Sequence, residues 1–179
     1  MSIVDFATYA APTAPLGTAD VPSFKSAMGR LAGAVSVITV GTGEARTGFT
    51  ATSVSSYSMD PPTILVSVNK NSSSWPALLE ARSFAVNILA HGQAEVADRF
   101  AGRGGIKGSD RYVGWDWERL GTGTLGLNGA VSVIDCDLDE AIERHSHAIL
   151  LGRVRSVDTD PHIFPLLYWS GGYQNLAGV

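Results

Sequence analysis

Residues 69–74, Asn69-Lys70-Asn71-Ser72-Ser73-Ser74, bring amides, hydroxyls and one cation together in a short polar stretch. Trp75 and Pro76 follow, and proline fits the first turn of a helix, so the stretch faces a helix N-terminus. Donors gathered at such a place can hold a phosphate. The same residues also read as an ordinary solvated turn in which Ser74 caps the helix.

Other groups with chemical potential are weaker. His145 and His147 flank Ser146, where alternate strand residues share a face, but no third ligand completes a metal site. Gly121-Thr122-Gly123-Thr124-Leu125-Gly126 has the spacing of a dinucleotide fingerprint. That motif works when a strand precedes it and a helix receives the pyrophosphate, whereas here a strand follows, and Asn128-Gly129 strengthens a turn reading. The single cysteine, Cys136, sits among Val133, Ile134 and Leu138, which suits a buried inert thiol better than a nucleophile. No serine stands in a nucleophile elbow.

The elements that must position these groups are mainly strands. Residues 34–40 and 47–58 are rich in β-branched and hydroxyl side chains around turn residues 41–44, which predicts a hairpin. Asp60-Pro61-Pro62 should interrupt the ladder before a strand over residues 63–68. Residues 84–89, 130–138 and 148–157 also read as strands, and the central Asn87 needs a hydrogen-bonding partner if buried. Helices are expected from Ser23, with Phe24, Ala27, Met28 and Leu31 covering a barrel opening, from Pro76, and over residues 93–101. Residues 101–110 carry four glycines, Arg103 and Lys107 and read as a surface loop of the kind that forms lids. About six strands in sequential order, without regular strand–helix alternation, favour an antiparallel barrel.

A length of 179 residues fits one domain, here residues 22–179 behind a flexible arm over residues 1–21 rich in Ala, Pro and Thr. A formal charge of −4 gives no basic surface for nucleic acid. No apolar run reaches the roughly 20 residues of a membrane span, and the N-terminus lacks a secretory pattern, so a cytoplasmic location is expected.

Thr47-Gly48-Phe49-Thr50-Ala51-Thr52-Ser53, followed by Ser56-Tyr57-Ser58-Met59-Asp60-Pro61-Pro62, closely resembles the short-chain NAD(P)H:flavin oxidoreductases. The resemblance extends through residues 69–76, 84–89, 99–100, 135–136, 147–154 and 165–173. It implies an antiparallel FMN-binding split β-barrel that uses NADH or NADPH to reduce FMN or FAD, supplying a partner flavin-dependent monooxygenase. It also implies a homodimer. Thr50, Ala51, Thr52 and Ser53 would lie along the flavin, with Asn69, Lys70, Ser72 and Ser74 near its phosphate and Arg99 and Phe100 beside it. His147 and Tyr173 would flank the nicotinamide, with His147 the catalytic candidate. Where such reductases carry Gly-Asp-His, this chain has His145-Ser146-His147. A non-catalytic flavin-binding or electron-carrier protein is the alternative.

Overall fold

The computed structural model describes residues 17–176, so most of the expected arm lies outside the described residues, and Val21 already belongs to a helix. That helix, α1 (Val21–Met28), begins earlier than expected, because the Asp20 carboxylate, and not Ser23, caps it by accepting from the Ser23 backbone N–H at 2.9 Å. None of its residues is buried, and Phe24 and Met28 face outward, so within this chain α1 covers no barrel opening.

The strands β1 (Gly33–Ala34), β2 (Ser36–Val40), β3 (Thr47–Ala51), β4 (Val54–Met59) and β5 (Pro62–Asn69) follow. β2 and β3 form the expected hairpin, with Val40 opposite Thr47. The proline interruption is confined to the turn, since Pro62 already pairs with Met59. Next come α2 (Trp75–Ala81), β6 (Ser83–Ile88), α3 (Ala94–Phe100), β7 (Trp117–Arg119) and β8 (Leu125–Leu127). The paired strands β9 (Ser132–Arg144) and β10 (His147–Thr159) run past the expected ends of the apolar runs. β11 (Leu167–Trp169) and β12 (Gly172–Gln174) close the chain through Ser170 and Gly171, whose φ of 51° and 87° make the tight turn.

Seven strands form one antiparallel sheet in the order β3-β2-β6-β9-β10-β5-β4. Laid flat, it would hold its edge strands roughly 29 Å apart. Those edges, β3 and β4, are joined by Thr52 and Ser53 alone, a link that reaches at most about 11 Å. The sheet therefore curls until its edges meet, giving a barrel split along the β3–β4 seam, the expected architecture. Ile38, Val66, Phe84, Val86 and Leu150 fill the interior, and Leu78 of α2 packs among them. A second core lies outside the wall, where Val37, Phe100, Tyr112 and Leu127 pack beneath α3 and the β7–β8 hairpin. β2 is buried along its whole length because it serves both cores.

Two sequence questions are answered by this second layer. The glycine fingerprint is the turn of the β7–β8 hairpin, where the Thr122 hydroxyl and backbone N–H donate to the buried Asp135 carboxylate at 2.5 and 2.9 Å. Asn87 is fully buried and satisfied: its amide donates to Val37 O at 3.0 Å and accepts from Leu127 N–H at 2.7 Å. Cys136 is buried in the barrel, and burial pushes its thiol up to about 12, with Asp135 and Asp137 adding to the shift.

Candidate functional site

The seam is where the chain's polar residues converge. Gly48 and Thr50 of β3 face outward toward α3, and the Thr50 hydroxyl donates to Ala97 O at 2.6 Å. Gly48 lets Phe100 lie flat on the strand: a Cβ there would come 2.7 Å from Phe100 Cε1 and also strike Ile38 O. Ala51 is buried, while Thr52 and Ser53 are exposed at the crossing, and Ser53 Oγ donates to Ser67 O at 3.1 Å.

Three adjoining hollows follow this edge. One of about 390 Å³ lies between Thr50, Ala101, Arg111 and residues 71–73; it shares Thr50 and Ala101 with a second of about 210 Å³, walled by Arg103 and Tyr173. The second shares Thr52 and Tyr168 with a third, about 880 Å³, that runs beneath Met28 and Leu31. Together they make a trough with polar donors at one end and apolar walls at the other. A separate hollow of about 540 Å³ by the β7–β8 hairpin carries Glu118, Asp158 and Asp160, the wrong sign for a nucleotide phosphate.

At the polar end the loop is self-ordered. Asn69 Oδ1 accepts from Asn71 N–H at 2.9 Å and Ser72 Oγ from Ser74 N–H at 3.2 Å, which leaves the Ser72 and Ser73 edge facing the hollow. Lys70 is held elsewhere, its Nζ 2.9 Å from Glu143 Oε2 and its backbone N–H donating to Ser146 O. Ser74 does not cap α2 through its side chain. It is fully buried, and its hydroxyl donates to Gly48 O at 2.7 Å, tying the loop to β3.

One buried cation that lines the trough was not apparent in the sequence. Arg111 is 6% exposed, yet its acceptors are neutral: Gly48 O, Ile106 O at 3.3 Å and Ser74 Oγ at 3.4 Å. No carboxylate among the described residues pairs with it, and burial lowers its guanidinium below the ordinary value. A buried cation without a counter-charge is costly. The group that would relieve the cost is an anion in the hollow that Arg111 lines. Nothing local in the sequence signals such burial, because arginine is normally a surface residue.

The remaining candidates spread along the trough. Arg99 donates to Asp110 O at 3.3 Å, and its Nε is buried without a partner. Phe100 is buried under Gly48 and meets Tyr112 edge-on at 5.0 Å. Tyr173 lines the middle hollow, its hydroxyl donating to Asp98 Oδ1 at 2.6 Å; burial first, then Asp98, pushes the phenol up to about 12. His147 is exposed at the start of β10, opposite Asn69 in register, with Nδ1 2.9 Å from Ser146 Oγ. His145 stands apart in the turn with φ 50°. His147 therefore neighbours the polar loop and lines none of the three hollows within this chain.

Comparisons with known proteins bear on the family and the fold. Residues 28–177 match the flavin reductase like domain. The "FMN reductase (NADH) RutF" of Klebsiella pneumoniae (strain 342) is 34% identical over 158 residues, covering 88% of this chain and 95% of that protein. The NADH:FAD oxidoreductase SgcE6 of Streptomyces globisporus, solved with NAD and FAD fragments, superposes with a TM-score of 0.81 at 29% identity, covering 89% of this chain and 94% of that one. BorF, the flavin reductase component of a bacterial two-component tryptophan halogenase, gives a TM-score of 0.81 at 33% identity over 88% of this chain and 98% of its own.

Proposed function

This chain belongs to the flavin reductase-like family, and we propose that, as an NAD(P)H:flavin oxidoreductase, it uses NADH to reduce FMN bound along the β3–β4 seam. The observation that supports the placement is Arg111, a buried guanidinium with neutral acceptors only, which lines the hollow together with Ser72 and Ser73. Phosphate fits that chemistry. Arg111 supplies the charge, and Asn71, Ser72 and Ser73 supply donors around it.

Bound there, a flavin supplies the hydride-accepting ring nitrogen that the chain's own side chains lack. The chain's part is alignment and exclusion of water. Residues 50–53 would run along the ring, offering backbone groups and the Thr52 hydroxyl, since the Thr50 and Ser53 hydroxyls already donate to Ala97 O and Ser67 O; such hydrogen bonds tune the ring's electronics without an ionised catalytic group. Tyr168 and Tyr173, packed edge-on at 5.7 Å, wall the space where a nicotinamide stacks. Productive transfer needs reacting atoms roughly 3–3.5 Å apart, so ring alignment governs rate more than acid–base chemistry does. His147 is assigned to the nicotinamide side of the site, contributing from the β9–β10 turn.

NADH and FMN are chosen because the RutF relative bears both in its name, while SgcE6, an NADH:FAD oxidoreductase solved with NAD and FAD fragments, keeps FAD as the alternative. The reduced flavin passes to a flavin-dependent monooxygenase or a comparable flavin-using partner, as BorF's halogenase system illustrates. Val21, Phe24, Met28 and Leu31 are all exposed apolar residues at the α1 end of the trough, which supports a homodimer in which a second copy covers them. The test is steady-state oxidation of NADH and NADPH by the purified protein with FMN, FAD or riboflavin added. Flavin-dependent turnover is expected, with NADH and FMN the better pair. No turnover with any combination would overturn the assignment.

A further inference from the structure

Two cations of the trough, Lys25 and Arg103, have no part in the flavin site, and of these Arg103 lies in the hollow that adjoins that of Arg111. Arg103 walls the middle hollow together with Thr50, Thr52 and Tyr173. Its NH1 lies 3.0 Å from Asp98 Oδ1, and its guanidinium carbon 5.8 Å from the centre of the Tyr173 ring. Asp98, on α3, is therefore shared, since Oδ1 also accepts the Tyr173 hydroxyl.

Two features make this ion pair exchangeable. The Arg103 side chain is 61% exposed, and solvent screening leaves exposed ion pairs weak, so a more highly charged group can displace the carboxylate. Arg103 also stands between Gly102 and Gly104, whose φ of 77° and 70° are conformations that glycine adopts freely. The backbone on either side can thus re-aim the side chain at little cost.

Three cations line the trough, Lys25 at its apolar end and two arginines nearer the polar loop. Arg111 lies buried at the loop end, where one phosphate of a mononucleotide is satisfied; Arg103 lies across Thr50 and Ala101 from it, at the exposed side. A dinucleotide brings a diphosphate, and Arg111 is the one cation among the described residues lining the first hollow, so the second phosphate finds no further charge there. Resting on the flavin reductase reading, we propose that Arg103 is a specificity-determining residue that recognises the diphosphate of a dinucleotide substrate, giving up Asp98 in exchange. The diphosphate belongs to the nicotinamide donor or to FAD, and the two are separable by experiment.

The test uses the full chain and its Arg103→Ala and Arg103→Lys variants. With saturating FMN, NADH is compared with N-benzyl-1,4-dihydronicotinamide, a donor that has the reacting ring and no phosphate. Arg103→Ala should raise KM for NADH about tenfold with kcat within twofold, leave the benzyl donor unchanged, and be largely rescued in Arg103→Lys. In the second arm, binding of FAD and FMN is measured without donor. An approximately tenfold loss for FAD alone, with KM for NADH unchanged, assigns the diphosphate to FAD. Unchanged NADH and FAD parameters, or equal weakening of the benzyl donor, would overturn the proposal. A parent protein inactive with both donors would overturn the flavin reductase reading and this inference together.

Discussion

Arg111 is held in place by three neutral acceptors, so its charge is free for a ligand while its position is fixed. Arg111→Met keeps much of the volume and removes the charge. It should weaken FMN about tenfold or more, about 1.4 kcal/mol, and riboflavin, which has no phosphate, much less. Fluorescence titration of both flavins checks this, and equal weakening would move the phosphate elsewhere. Ser72→Ala should act in the same direction more weakly. Ser74→Ala should instead lower stability by about 0.5–1.5 kcal/mol, because Gly48 O loses one of two buried donors and keeps that of Arg111, with the FMN-to-riboflavin ratio nearly unchanged. The sequence makes these two serines look alike, since both lie in one polar run. Only the packing of that run against β3 separates them. For His147, the expectation is that His147→Ala slows reduction of prebound flavin by NADH about tenfold, with flavin affinity preserved and His145→Ala much milder. Stopped-flow traces measure it, and parental rates for His147→Ala would leave the imidazole a purely structural role at the strand end.

Between β3 and α3 the close approach rests on one residue. Gly48→Ala would drive a methyl group into Phe100 and the Ile38 carbonyl, costing about 1–3 kcal/mol by overpacking. Because Phe100 and Thr50 share the same hollow, flavin affinity should fall together with the denaturation midpoint, read by urea melts and titration on one preparation. Hairpins of this kind are legible in sequence wherever strand and turn chemistry are both local. The β2–β3 pair, the α2 start at Pro76 and the turn nature of residues 121–126 were all readable for that reason. The α1 cap and the full length of β9 and β10 were not. Asp20 and Ser23 are both good cap residues, so residue type alone does not place the α1 start, and the strands outrun their apolar cores because pairing across the ladder sustains polar residues such as Glu143.

Three protonated groups sit in the fold with raised pKa values: Cys136 at about 12, Tyr173 at about 12, and Tyr112, which burial pushes up from 10.0. In the unfolded chain the thiol ionises near 9.0 and the phenols near 10.0, while the native groups keep their protons. Their contribution is therefore fully present below pH 9 and is lost as pH rises toward about 12. Melting temperature should be flat from pH 7 to 8.5 and fall above 9. Cys136→Ala should show a shallower loss between pH 9 and 10 even though its cavity lowers the starting value, and an unchanged slope would exclude the thiol as a cause. At this scale the barrel was legible from sequential strands, and the place where it opens was not, because that depends on which strands become edges. Thr52 and Ser53 alone carry the chain from one edge of the sheet to the other, and they belong to the stretch assigned to the flavin ring, residues 50–53. A flavin held there is a clasp on a seam. At a hundred times its Kd it would add about 2.7 kcal/mol against any motion that parts the edges. Amide hydrogens of β3 and β4 that exchange through such parting should slow in proportion to flavin concentration, while those near the far ends of β9 and β10, which fray without disturbing the seam, keep their rates.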